Sequence, residues 1–353
     1  MDRRTFLESM LGATAGMTLP TWLRDLGIDP VEALAPAELV VGPPDDQVTT
    51  GPRVGLADVE RIRSDTERFA RMDQQHGGGH ARWLVVSYLD HQVAPMLQGA
   101  YTEEVGRELF CAAAVLSRRA GVMALDAGRH GLAQCYYVQA LRLAHAAGDR
   151  ALGAYMLTQM AGQTIHLGHP VKAAELARAA QQGASDAATP TLLARIFAIE
   201  ARAHARLGDR SACEKALSRS TAAFERAERS RDPRWLDGVN SGDVYLAWEF
   251  AKCFRDLHQG PRAVEWASMA VTGGDADQVR RRALSTALLA SSYLEQNELE
   301  RACATGLEAV ALAERLKSHL SLDAIRELRG RFTPHVALGV VKEFDDRASA
   351  LLG

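Results

Sequence analysis

Three columns of small residues, repeated five times, constrain this chain more than any other feature. The segments align on Ala133, Ala173, Cys213, Ala263 and Ala302. Twelve positions earlier stand Gly121, Ala161, Ala201, Ala251 and Ala290; seven positions later stand Ala140, Ala180, Ser220, Ala270 and Ala309. Five positions before each anchor is a turn-forming residue: Gly128, Gly168, Gly208, His258 or Asn297. Two helices can approach closely only where the crossing side chains are small. A glycine or asparagine between them accepts the left-handed backbone that ends a helix. Each hairpin leaves an apolar face bare, which the next hairpin must cover, so the pairs stack. The expected class is all-α, and alanine-rich composition with only 6% aromatic residues fits helix-on-helix packing better than sheets.

The spacing within a unit is similar to the tetratricopeptide pattern, with anchors 39 or 40 residues apart except at one longer connection around Ser230 to Asp243. The tetratricopeptide period is ~34 residues, so longer helices are expected here. The predicted architecture is therefore a tetratricopeptide-like, right-handed superhelical solenoid of antiparallel helix pairs. Five units are recognisable over residues 114–314, within a repeat domain expected at 57–352. A helix from Asp58 to Met72, a break at His76-Gly-Gly-Gly-His80 and a helix from Trp83 to Leu97 precede them. Residues 318–352 read as a capping pair with Leu320, Ile325, Leu328, Val336 and Val340 on its apolar side and a break at Phe332-Thr-Pro334. Residues 1–56 read as a short amphipathic helix followed by a Pro/Gly-rich linker over 36–55.

The net charge of -3, from 41 basic and 44 acidic residues, offers no general electrostatic grip on nucleic acid. Cys111, Cys135, Cys213, Cys253 and Cys303 are dispersed through helical patterns with no CxxC pair, which suggests reduced, small hydrophobes and a cytoplasmic setting. No apolar run approaches the ~18 residues of a membrane helix. Arg3-Arg4-Thr-Phe-Leu7 resembles a twin-arginine export signal, so export is the alternative localisation.

Several stretches resemble the tetratricopeptide-type transcriptional and sporulation regulators of Streptomyces-type actinobacteria. Met72-Asp-Gln-Gln-His-Gly-Gly-Gly79 is similar to that family's D-x-x-H-G-G segment. The run from Arg119 through Asp126-Ala-Gly-Arg-His130 and Ala133-Gln-Cys-Tyr-Tyr137 to Gly148-Asp149 resembles a second family segment, with Val122 where tryptophan is common. Glu200 to Asp209 and Ser321 to Arg329 match as well, so the resemblance spans roughly residues 54–352. It implies a regulatory protein. Such regulators often open with a helix-turn-helix domain, which residues 1–56 do not supply, so direct DNA binding is not expected.

No nucleophile elbow, zinc-protease motif, P-loop or Rossmann glycine pattern is present, so no enzyme, cofactor or metal reading has residues to stand on. His76 and His80, with Asp73 as the one further candidate ligand, read as exposed histidines flanking a glycine turn. His166 and His169 read as helix-terminal residues beside Gly168, and Arg280-Arg-Arg282 as a solvated run opening a helix.

In a tetratricopeptide stack the first helix of each pair lines the concave face. Counting along those helices gives Arg118, Arg119, Tyr155, Gln159, Arg195, Arg202, Tyr245, Trp248 and Lys252 as groove residues. Arginine suits bidentate capture of carboxylates, and tyrosine and tryptophan are common interface anchors. The leading expectation is a scaffold whose groove takes a protein or peptide partner with an acidic tail. Two alternatives stay open: a sensor for a small signalling molecule or peptide pheromone, which a closed pocket around Tyr245 and Trp248 would favour, and an exported repeat protein.

Overall fold

The computed structural model describes residues 51–236 and 242–353. The expected N-terminal helix, most of the linker and the Arg3-Arg4 motif lie outside the described residues.

Among the described residues, fourteen helices follow one another: α1 (Leu56–His76), α2 (Gly78–Tyr88, continued through Leu89–Val93 to Ala94–Leu97), α3 (Glu103–Asp126), α4 (His130–Ala146), α5 (Arg150–His166), α6 (Pro170–Ala184), α7 (Pro190–Arg206), α8 (Arg210–Glu225), α9 (Gly242–Asp256), α10 (Gly260–Thr272), α11 (Val279–Glu295), α12 (Leu299–Ala313), α13 (His319–Phe332) and α14 (Gly339–Leu352). Each odd helix packs against the even helix that follows it, and against the odd helices of neighbouring pairs. Among the described residues there is no strand, only a single bridge that ties Arg53 to Ala100 at the end of α2.

The local causes are those the sequence implies. All five turn residues take the left-handed conformation, with φ of 73°, 83° and 73° at Gly128, Gly168 and Gly208, 54° at His258 and 59° at Asn297. Beyond that residue the chain folds back onto the helix it leaves, as where the Arg129 amide donates to the Ala124 carbonyl at 2.8 Å. Side-chain oxygens of Thr102, Asp149, Thr189, Asp209 and Ser318 accept from the first-turn amides of α3, α5, α7, α8 and α13. All fifteen residues of the three small columns are buried. Ahead of Pro95, which cannot donate a helical hydrogen bond, α2 widens to a π-helical turn over Leu89–Val93.

Some boundaries differ from the expectation. The first helix runs on to His76, and only Gly77 separates it from α2. In the capping pair Ile325 and Leu328 are buried, but Val336 and Val340 are exposed, and Phe332, Val341 and Phe344 fill the core in their place. The chain leaves α13 through a short Thr333–His335 turn, which moves the apolar stripe of α14 by one position. Cys213, Cys253 and Cys303 are buried and Cys111 and Cys135 half-buried, all as free thiols. No described helix is long and apolar enough to cross a membrane.

Candidate functional site

The first and last parts of the described chain touch. The Lys317 amide donates to the His76 carbonyl at 2.8 Å, and the Gly79 amide to the Lys317 carbonyl at 2.9 Å. Such an approach needs glycine. A Cβ at Gly77 would sit 2.7 Å from the Lys317 backbone, where φ is also +85°, and one at Gly78 would sit 2.6 Å from the Met123 carbonyl oxygen.

Behind this backbone contact lies a buried ion network. Arg280, at the start of α11, donates to Asp73 Oδ2 at 2.8 Å and to Asp126 Oδ1 at 3.4 Å. Arg119 reaches Asp73 Oδ2 at 3.3 Å. Asp126 also accepts from the Gly78 amide and from Ser318 Oγ, each at 2.7 Å. Both carboxylates are fully buried. Burial pushes the Asp126 carboxyl up against the pull of Arg280. Burial would also lower the Arg280 guanidinium, yet the two carboxylates outweigh it and hold the group above its ordinary value. The Asp73 and Gly77–Gly79 segment, a turn in the sequence reading, is thus one half of a seam. Arg280, read there as part of a solvated run, is its bridge. His76 and His80 remain exposed, with their rings 4.8 Å apart.

The long connection after α8 adds a second tie. Trp235 stacks on Tyr155 at 5.6 Å, and its Nε1 donates to Asp149 at 3.1 Å. Arg234 next to it pairs with Glu60 and Glu67 on α1, at 2.7 and 3.4 Å.

Inside this arrangement the odd helices surround a cavity of about 340 Å³. Of the nine groove residues expected from the sequence, Arg118, Arg119, Gln159, Arg202, Tyr245, Trp248 and Lys252 line it. Tyr155 and Arg195 do not: Tyr155 is covered by Trp235, and Arg195 lies over the Tyr245 ring at 4.6 Å. Sequence reasoning missed Val122, Arg255, Arg280, Arg281, Leu284, Leu288 and Glu327, which α3, α9, α11 and α13 add to the wall.

The wall is strongly cationic. Arg202 and Lys252 share Glu249, at 3.3 and 2.9 Å, and Arg255 meets Asp256 and Glu327. Lys252 Nζ also sits 3.0 Å from the centre of the Trp248 ring. Burial, then the neighbouring Arg202, lowers the Lys252 ammonium to about 7 despite Glu249. Burial and the adjacent Arg118 lower Arg119 to about 10, and burial with Arg280 and Arg195 does the same to Arg281. Burial would raise the Tyr155 phenol, yet Arg118, Arg195 and Arg119 outweigh it and hold the phenol below its ordinary value. A buried tyrosine displaced in that direction reports a positive local potential.

No group of three potential metal ligands occurs among the described residues. Compared with known proteins, the chain matches no family model and no curated protein.

Proposed function

We propose that this chain is a non-enzymatic regulatory protein that senses a small molecule held in the central cavity of a tetratricopeptide-like, right-handed superhelix. The observation that carries the reading is the seam. An extended peptide groove needs open ends, whereas here α1 and α2 meet α11 and the start of α13. A cavity of about 340 Å³ is in the range of small-ligand sites. Its lining sets Tyr245, Trp248, Leu284 and Leu288 among many polar and cationic groups. A ligand held among the odd helices shifts the balance between their arrangements by its differential contacts with them. In the setting that the resemblance implies, such a shift would be read out by a partner in gene regulation. This reading is placed ahead of the peptide groove because α1 and α2 meet α11 and the approach to α13 beside the cavity.

A thermal-shift screen of small molecules beside an acidic peptide library tests it, with the part of the tryptophan emission lost in Trp248→Phe as the site-specific signal. Gly162→Phe supplies the control, because Gly162 lines the cavity and a Cβ there meets only Ile199 Cδ1, at 3.9 Å. Small-molecule hits are expected to raise the melting temperature, to change Trp248 emission and to vanish in Gly162→Phe. Tight peptide binding with no small-molecule hit, or hits indifferent to Gly162→Phe, would overturn the reading.

A further inference from the structure

Two guanidiniums on the cavity wall have no acid. Arg119 and Arg280 are engaged by Asp73 and Asp126, Arg202 by Glu249, and Arg255 by Asp256 and Glu327. Among the described residues no ion pair reaches Arg118 or Arg281, and the Nε of each is buried without a hydrogen-bond partner. Arg118 is only 8% exposed, and its guanidinium rests over the Tyr155 ring at 5.3 Å. An ionised group removed from water without an opposite charge is strongly disfavoured. Arg118 is such a group, Arg281 beside the same cavity is half-buried without an ion pair, and the wall has room for the missing charge.

We infer that the cavity takes a small organic anion whose carboxylate or phosphate is bound by Arg118 and Arg281 and whose apolar body rests against Trp248, Leu284 and Leu288. This rests on the reading of the cavity as the ligand site. Planar guanidiniums donate in pairs to a carboxylate or a phosphate, so either oxyanion suits the terminal Nη groups of Arg118 and Arg281. Burial first, then Arg280 and Arg195, depresses Arg281, while Arg118 and Arg195 hold the Tyr155 phenol low against its burial. Trp248 and the leucines one and two turns along α11 from Arg281 favour a molecule with a non-polar part over an inorganic ion. Acid and body together match the division of labour in small-molecule sites, where apolar area gives affinity and a few polar groups fix orientation.

Calorimetric titration of the full chain at low ionic strength tests this with three probes of one shape: phenyl phosphate, phenylacetate and the neutral phenylacetamide. Both acids are expected to bind at least tenfold more tightly than the amide, with a change in Trp248 emission. The pair Arg118→Met and Arg281→Met is expected to lose at least tenfold of the acids' affinity while melting no lower than the parent, since it removes one buried and one half-buried guanidinium, neither of them ion-paired. If the amide binds as well as the acids, or if the paired variant leaves the acids' affinity within twofold, the inference falls and the small-molecule reading stands. If none of the three binds and Trp248 emission is unmoved, both fall.

Discussion

Single residues here carry more strain than a helical scaffold requires, and Lys252 is the clearest case. Its ammonium is buried beside Arg202, with one carboxylate, Glu249, shared between the two. Folding lowers the group from 10.5 to about 7. Between those values the unfolded chain holds a proton that the folded chain has released. Stability attributable to this group therefore rises as the pH climbs from 7 to 10.5, and the burden is full below 7. A tenfold change in proton affinity corresponds to about 1.4 kcal/mol. Lys252→Met is expected to gain more over the wild type at pH 6 than at pH 10, by a few kcal/mol. Urea unfolding of both proteins at the two pH values measures it, and an equal difference at both would remove Lys252 as the source. The sequence showed Lys252 on the inner face. It carried no sign that Glu249 would be shared, because that depends on how α7 and α9 come together.

At the scale of helices, the small columns decide which surfaces meet. Gly121 in α3 lies against the Tyr137 ring of α4, where a Cβ would fall 2.7 Å from the ring edge. Tyr137 is 1% exposed and has nowhere to go. Gly121→Val is expected to destabilise the protein by about 2 kcal/mol, as overpacking does. Gly183→Ala, at an open position near the end of α6, is expected to gain about 0.5–1 kcal/mol from backbone entropy. Chemical denaturation separates the two, and equal effects would show that the crossing is not tight. This level of the fold was legible in advance. Turn residues, small columns and helix pairing all follow from contacts within about forty residues, which periodicity can report. The capping pair was less legible: Val336 and Val340 have the right spacing for a core stripe, but the Thr333–His335 turn resets the phase before α14 begins.

For the whole molecule, the decisive contacts are those no periodicity encodes. Asp73 and Arg280 are 207 positions apart, and Asp126 and Ser318 are 192 apart. A local reading places Arg280 on a solvated face and Asp73 in a turn, because the contact joins helices far apart in the sequence. The same holds for Trp235, whose partners Tyr155 and Asp149 belong to a different pair. Seven of the nine residues expected on an inner face line the cavity, whereas the contact of α1 with α11 was not legible. Asp73 through Gly79, a turn in the local reading, is the segment that meets α11 and the approach to α13. Its chemistry is that of a seam: a carboxylate for Arg280 and three glycines that let backbone touch backbone.

Closure is best tested at its two backbone hydrogen bonds. The amides of Gly79 and Lys317 have acceptors only across the seam, on Lys317 and His76. In a free helix N-terminus and a free linker both would exchange with solvent rapidly. Amide hydrogen exchange resolved at these two residues is expected to show protection like that of the helix cores, lost at both together in Arg280→Ala. That substitution leaves Asp73 and Asp126 short of their bridge at about 3–5 kcal/mol. Exchange of both amides at free-peptide rates in the wild-type protein would contradict the closed arrangement.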